Sequence, residues 1–559
     1  MCYKSFILSV VLGIAALNVS ATNVDDKPVK PVKNVIVLIP DGCSLATIAT
    51  ARWYQWCLNP DQDKLFIDPY LSGTVRTTCS DAPIGDSAPT TSTYMTGYNS
   101  LSGWVSTYPI SKGKNDIYPM DSTRAYQPLT TVMEAARMTQ GKSCGIVFTC
   151  YHTHATPADC TSHSYDRNKH DWIADQQIHN GVNVAIGGGL RAMTPERESY
   201  LKEKGYSVFK DDISGMRNCA ANENMWALFG NGDMAYDLVR DPNKEPSLAE
   251  MTETAIKHLS TNPNGFVLMV EGSKVDYAAH ANDLIGMVTE FLAFDRACKV
   301  ALDFAQRDGN TAVVVVPDHG NSGLSIGRRD WGAYSTTSRD RTFGALTKVK
   351  TTPGELADKL NNAPFDQAQS IFKEWCGFEL NEKELNLLKN HRGYKSSPVP
   401  ADERKSIEGP LYNTSDFSRF LSQFTTIRTG LTFTTNGHTG EDVFLATYHP
   451  DLASRASGML TNIELNHYLC ALNGFSHETL DSLTSANFAT HSKVFDGMKY
   501  ELQENVLTVK NKKNKLVLRP NTNIVELNGK SVELPSVIVY VDKNKTFYLP
   551  QSLRTMIEK

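Results

Sequence analysis

Three apolar runs in this 559-residue chain each end on an acidic group. Residues 34–39 stop at Pro40-Asp41-Gly42, residues 265–270 at Glu271-Gly272, and residues 311–316 at Pro317-Asp318-His319-Gly320. Asp276 and His280 stand four apart, so one helical turn puts them on one face. His438 lies far downstream, between glycines in Gly437-His438-Thr439-Gly440. Aspartate and neutral imidazole are good zinc ligands, and three of them beside an open position make a catalytic zinc site. Any one acid–imidazole pair equally describes a turn or an ion pair. The joint arrival of Asp41, Asp276, His280, Asp318, His319 and His438 is what points to metal chemistry.

A serine supplies the other half. Ser87 opens a stretch of small residues, Ala88-Pro89-Thr90-Thr91-Ser92-Thr93-Tyr94-Met95-Thr96, that ends at Gly97. Pro89 is tolerated in a first turn, where amides have no partner to lose, and Gly97 suits a helix stop. The spacing predicts a helix with Ser87 at its positive end, a natural seat for phosphate. A hydroxyl there becomes a nucleophile once something lowers its proton affinity. An ordinary capped helix is the other reading of the same residues.

The apolar runs do not alternate, which suits strands buried on both faces of a parallel sheet covered by helices. Ligand crevices in such sheets lie outside the carboxyl ends of the strands, so all three acids belong to one edge. The expected fold is α/β, a large and mostly parallel central sheet flanked by helices. Residues 353–395 are charged and helical in pattern. Residues 351–430 therefore read as an insertion or cap above the site that shapes access or a subunit contact, with a merely solvated cap as the other reading. Beyond about residue 475 the pattern becomes strand-rich. Runs 506–509 and 516–518 flank the basic tip at 510–515, and 524–534 reads as a hairpin turning at Asn528-Gly529. Residues 22–475 are thus expected to form the catalytic domain and residues 476–559 a small accessory module.

Together these motifs resemble those of the alkaline phosphatases across most of residues 34–475. Asp41-Gly42 after a strand matches the first metal motif and Asp86-Ser87-Ala88 the nucleophile motif. His154-Ala155-Thr156-Pro157 followed by Arg167 matches the segment with a magnesium ligand and a phosphate-binding arginine. Val184-Ala185-Ile186-Gly187-Gly188-Gly189 and Pro246-Ser247-Leu248-Ala249-Glu250-Met251 are further shared landmarks. The resemblance implies hydrolysis of phosphate monoesters through a phosphoserine at Ser87, with two zinc ions and one magnesium. It places one zinc on Asp276, His280 and His438. The second falls on Asp41, Asp318 and His319 and also touches Ser87, and the magnesium falls on Asp41, Thr156 and Glu271. Arg167 would clamp two phosphate oxygens, with His154 and Tyr277 lining the substrate site. Asp86 is expected to cap the following amides and to orient Arg167. A homodimer is implied by analogy.

Some residues depart from the family pattern. His154 stands where bacterial relatives often carry an acid, so a softer ion could compete for the third site. Tyr277 brings no positive charge where relatives vary among Lys, His and Trp. Pro40 and Pro317 precede metal aspartates where other residues are usual. Sulfatases carry Arg four residues after the nucleophile, but position 91 is Thr. Phosphodiesterases usually lack the Arg167-type clamp. A non-catalytic metal- or phosphate-binding protein should have lost at least one of Ser87, Asp318, His319 and His438, and all are kept.

A hydrophobic fraction of 41% allows a sizeable core, and a formal net charge of −5 gives no reason to expect nucleic acid as a partner. Lys4, the apolar stretch 6–17 and Val19-Ser20-Ala21 read as a secretory signal over residues 1–21. A periplasmic or secreted protein with no transmembrane segment after cleavage is expected. Losing Cys2 from eleven cysteines leaves an even number, which suggests disulfides in an oxidising compartment. A bridge among Cys144, Cys150 and Cys160 would brace the segment from His154 to Arg167.

Overall fold

A computed structural model describes residues 29–332, 334–405 and 414–559, so the expected signal at 1–21 lies outside them. Its first half alternates strand and helix. The strands are β1 (Asn34–Pro40), β2 (Leu71–Arg76), β3 (Ser143–Tyr151), β4 (Val184–Gly188), β5 (Ser207–Lys210), β6 (Met225–Phe229), β7 (Phe266–Gly272) and β8 (Thr311–Val315). Between them run α1 (Leu45–Leu58), α2 (Ser87–Thr96), α3 (Val132–Gln140), α4 (Ala155–Thr161), α5 (His170–His179), α6 (Pro195–Glu203), α7 (Ile213–Asn218), α8 (Leu248–Leu259), α9 (Lys274–His280) and α10 (Leu284–Asp308). Four short strands follow, β9 (Gly320–Asn321), β10 (Ser325–Ile326), β11 (Leu431–Thr432) and β12 (His438–Thr439), and then β13 (Val443–Tyr448) and β14 (Gly458–Thr461).

The main sheet has ten strands in the order β14-β2-β13-β8-β1-β7-β3-β4-β6-β5. β13 runs antiparallel to β2 and β8, and the other pairings are parallel. The expected α/β, mostly parallel sheet is therefore the fold. Alternate side chains of one strand feed opposite cores. Ile36 and Leu38 pack into the layer built on α8 and α10, and Val35, Val37 and Ile39 into the other. This is why β1 reads as an unbroken apolar run. Central pairing sets the acids side by side: Ile39 is opposite Glu271, and Leu38 is opposite both Val270 and Val315.

Two short ladders hold the later segments to this frame. β10 pairs with β11 through Ile326 and Leu431, and β9 with β12 through Asn321 and His438. Between them lie α11 (Arg339–Phe343), α12 (Pro353–Asn361), α13 (Ala368–Cys376), α14 (Glu382–Asn390) and α15 (Phe417–Thr426). Leu360, Phe372, Phe420 and Phe424 give α12 to α15 a core of their own, while Phe343 of α11 packs into the main core.

The C-terminal residues carry β16 to β20 (Lys499–Gln503, Val506–Lys510, Lys515–Leu518, Ile524–Leu527 and Lys530–Glu533), an antiparallel sheet in sequence order, after the short β15 (Ala489–Thr490). Asn528 and Gly529 both take positive φ, 52° and 80°, as a two-residue hairpin turn of the favoured hand requires. β21 (Val539–Val541) and β22 (Thr546–Leu549) pair beside β15. Val537, Val539 and Tyr548 pack with Phe488 against Tyr165. Tyr165 donates to Asp542, Lys169 pairs with Asp542 at 3.1 Å, and Gln176 Nε2 donates to Asn521 Oδ1 at 3.0 Å. The tail is thus fastened to the stretch that carries Arg167.

The disulfide expectation is corrected. The ten described cysteines are all free, and every one except the half-buried Cys57 is buried. Cys144 and Cys150 lie six residues apart on one strand, roughly 20 Å, too far to bridge. Their thiols point to different partners, Met133 O and Glu271 Oε2. Parity misled because these free cysteines are nearly all buried, where a thiol packs as a small apolar group. No helix among the described residues is long and apolar enough to cross a membrane.

Candidate active site

All three strand-end acids meet at the carboxyl edge of the sheet. Asp41 follows β1 directly, and its amide donates to Gly272 O at 3.3 Å. Glu271 is the penultimate residue of β7. Asp318 lies three residues past β8, where its Oδ1 accepts from the amides of Gly42 (3.0 Å) and His319 (2.9 Å). Gly42 turns the chain with φ 63°, and a Cβ there would stand 2.3 Å from Asp276 Oδ1. Only glycine lets the β1 exit and α9 approach this closely.

α2 begins at Ser87 and ends at Gly97 in the left-handed conformation, φ 78°. Ser87 Oγ is buried 3.4 Å from both carboxylate oxygens of Asp41 and 3.3 Å from His319 Nε2. Asp86 departs from expectation in one respect: its side chain caps no amide of α2. Oδ2 instead accepts from Ser102 Oγ and Gly103 N, and Oδ1 accepts from Arg167 Nη1 at 3.1 Å. The tie to Arg167 removes the carboxylate from the helix end. Arg167 Nη2 donates to His154 Nε2 at 3.0 Å. Tyr277 packs edge-on to His154 at 5.7 Å and donates to Asp233 Oδ1.

The imidazoles are oriented by carbonyls. His280 Nδ1 faces Asn436 O at 2.8 Å, His438 Nδ1 faces Gly85 O at 2.9 Å, and His319 Nδ1 faces Gly320 O at 3.1 Å. A carbonyl only accepts, so Nδ1 carries the proton and Nε2 the lone pair in each neutral ring. Yet His280 and His438 bring their Nε2 atoms to 3.1 Å from each other, beside Asp276 at 3.4 and 3.8 Å. Two lone pairs and a carboxylate converging on one point repel unless a cation sits among them.

Distances support the same conclusion. Tetrahedral zinc with bonds of ~2.0–2.1 Å sets its ligand atoms about 3.3–3.4 Å apart. Besides the Asp276, His280 and His438 cluster, His319 Nε2 stands 3.4 Å from Asp41 Oδ1 and 3.6 Å from Asp318 Oδ2. Asp318 Oδ2, Glu271 Oε1 and Thr156 Oγ1 are buried without a hydrogen-bond partner. Orphaned buried oxygens of this kind need an explanation, and a bound ion supplies one. Three groups of buried or half-buried donors lie close enough to hold an ion: Asp276, His280 and His438; Asp41, Asp276 and His319; and Cys150, His154 and Glu271.

Electrostatics agree. Burial, then Asp318, Asp276 and Glu271, push the Asp41 carboxyl well above its ordinary range, and burial pushes Glu271 up to about 8. Burial opposes ionisation of Asp276, but the His280 hydrogen bond and nearby imidazoles hold it low. Burial and then the Arg167 charge push His154 down to about 3, so it accepts from the guanidinium as a neutral ring.

Sequence missed several supporting groups. Asn321 Nδ2 donates to Asp276 Oδ1 at 2.6 Å, and Ser102 helps fix Asp86. The Asn436 amide, oriented to satisfy its neighbours, accepts from Arg419 of α15 at 2.8 and 3.1 Å. Asn321 alone had a signal, standing two residues after His319.

Comparison with known proteins agrees with this geometry. A family model described as alkaline phosphatase matches residues 32–474. Alkaline phosphatase 3 of Bacillus subtilis is 31% identical over 451 residues, covering 78% of this chain and 87% of the relative. The repressible alkaline phosphatase of Saccharomyces cerevisiae is 28% identical, covering 78% of this chain and 79% of the relative. The crystal structure of a cold-active alkaline phosphatase from Shewanella sp. superposes with a TM-score of 0.66 at 25% identity, covering 79% of this chain and 99% of that one. This chain belongs to the alkaline phosphatase family, metal-dependent enzymes that hydrolyse phosphate monoesters.

Proposed function

We propose that the chain hydrolyses small phosphate monoesters through a phosphoserine at Ser87. The residues would hold two zinc ions, one on Asp276, His280 and His438 and one on Asp41, Asp318 and His319 beside Ser87. A third ion, magnesium by resemblance, would rest on Asp41, Thr156 and Glu271. Bound there, these ions supply Lewis acidity and charge neutralisation for the attacking and leaving oxygens. Ser87 Oγ, at the positive end of α2, attacks phosphorus in line with the leaving group, and the proton it gives up passes through solvent to the departing alkoxide. The P–O bond to the alcohol breaks and the Oγ–P bond forms. Water then attacks from the vacated side, Ser87 recovers a proton, and two inversions give retention at phosphorus. Arg167 is braced by Asp86 on one nitrogen, so its planar fork is pre-aimed at two phosphate oxygens. His154 and Tyr277 line the same side.

The observation that carries this reading is the Ser87 hydroxyl lying within 3.4 Å of Asp41 and 3.3 Å of His319. Acid quenching during turnover of a ³²P-labelled monoester tests it. Label is expected on Ser87 of the parent and absent from Ser87→Ala, which keeps its zinc but loses turnover more than about 10³-fold. An unlabelled parent, or a variant with parental turnover, overturns the covalent route. A monoester should also be hydrolysed in preference to a diester or a sulfate ester.

A further inference from the structure

One buried thiol at the site has no part in the reading so far. Near its exit, β3 loses register with β4 between Val147 and Tyr151. Ser273 Oγ accepts from the amides of Thr149 and Cys150 at 3.1 Å each, and this irregularity re-aims the strand end. Cys150 Sγ then lies 3.3 Å from Glu271 Oε2. Cys150, His154 and Glu271 each offer a donor atom within 4.8 Å of the other two, and all three are buried. Glu271 Oε1 and Thr156 Oγ1 are buried without hydrogen-bond partners.

We infer that Cys150 is a ligand of the third ion and that this site takes zinc or another thiophilic ion in preference to magnesium. The inference rests on the third-ion part of the function proposed above and deepens it. Oxygen-only sites suit magnesium, whereas thiolate selects softer ions. A zinc with bonds of ~2.3 Å to sulfur and ~2.0 Å to oxygen sets the two about 3.5 Å apart, close to the Cys150–Glu271 separation. His154 is a less ready donor. With Nε2 accepting from Arg167, the neutral ring carries its proton on Nδ1, so ligation requires that arginine contact to be given up. Cys150 gives up only the S–H contact it donates to Glu271 Oε2, an oxygen of the same site. Its S–H bond breaks, the sulfur lone pair binds the ion, and the proton leaves to solvent.

Zinc X-ray absorption of the full chain, stripped and reloaded, isolates this site. The other two clusters offer only nitrogen and oxygen, so sulfur reports Cys150 alone. A sulfur shell at ~2.3 Å is expected in the parent and in a Cys160→Ser control, and absent from Cys150→Ser. That variant should bind about one zinc equivalent fewer, with at least a tenfold weaker third affinity, and should accept magnesium there. No sulfur shell in the parent, a shell that persists in Cys150→Ser, or ready displacement of the third zinc by magnesium overturns the inference. Should Cys150→Ser not fold, the parent loaded with cobalt(II) decides, since a near-ultraviolet thiolate charge-transfer band arises only from a sulfur ligand. Failure here leaves ³²P on Ser87, while failure of the function leaves the sulfur shell without label.

Discussion

Arg167 joins the helix that carries the nucleophile to the segment that carries the third-site ligands. If it clamps phosphate as proposed, losing one net charge-assisted contact costs about 1.5–3 kcal/mol. Arg167→Ala should therefore raise the inhibition constant of inorganic phosphate about 10- to 100-fold, and unchanged inhibition would remove its clamp role. Glu271 gives a pH prediction. An acid whose folded pKa is raised binds more protons in the folded state between the ordinary 4.5 and about 8. Metal-free protein should lose stability as pH rises through that window, by at most about 1.4 kcal/mol per pH unit for this group. Asp41 acts in the same direction. Asp283 and Glu290 are also raised, to about 7 each, but stand outside the clusters. They tilt chelated and zinc-loaded protein alike. Denaturant melts should show a steeper alkaline decline for the chelated form, and parallel curves would refute the assignment.

Among the elements, β1, β7 and β8 were legible because strands buried on both faces must be apolar throughout. Their acidic ends stood out for the same reason. α2 was legible from its proline and glycine punctuation. The Asp86–Arg167 tie, 81 positions apart, came from the family resemblance and not from any local pattern, and the same tie left the expected cap of α2 unmade. The approach of His438 to His280 likewise came only from the resemblance, because it depends on a ladder two residues long. A strand that short has no periodicity to read. The turn at Gly42 was visible as a glycine, but its purpose was not. Gly42→Ala should cost at least about 1 kcal/mol from backbone strain. It should also shift Asp276, so zinc affinity falls along with stability. Isothermal titration and melts on the same sample check this, and full zinc affinity in a destabilised variant would refute the link.

The whole molecule adds a support that sequence presented as a bystander. The strand-rich tail was legible as structure, yet its grip on Tyr165 and Lys169 was not, because both partners are ordinary surface-type residues. Asp542 receives both of those side chains, flanking Arg167 in the chain. Asp542→Ala should loosen that stretch and raise phosphate inhibition constants modestly, about 2- to 5-fold, an effect of up to ~1 kcal/mol. Turnover should fall less than in Arg167→Ala, and an unchanged inhibition constant would confine the tail to stability.

The paired two-residue ladders have a wider consequence. Ile326 meets Leu431 and Asn321 meets His438, so the long excursion between them begins and ends at fixed points. Closure entropy grows only slowly with length, so loops between its helices can be lengthened or trimmed as long as Arg419 still holds Asn436 and Phe343 still fills the main core. This part of the chain behaves as a socket: a foreign loop joined between two of its helices would inherit a mount pinned to the sheet at both ends.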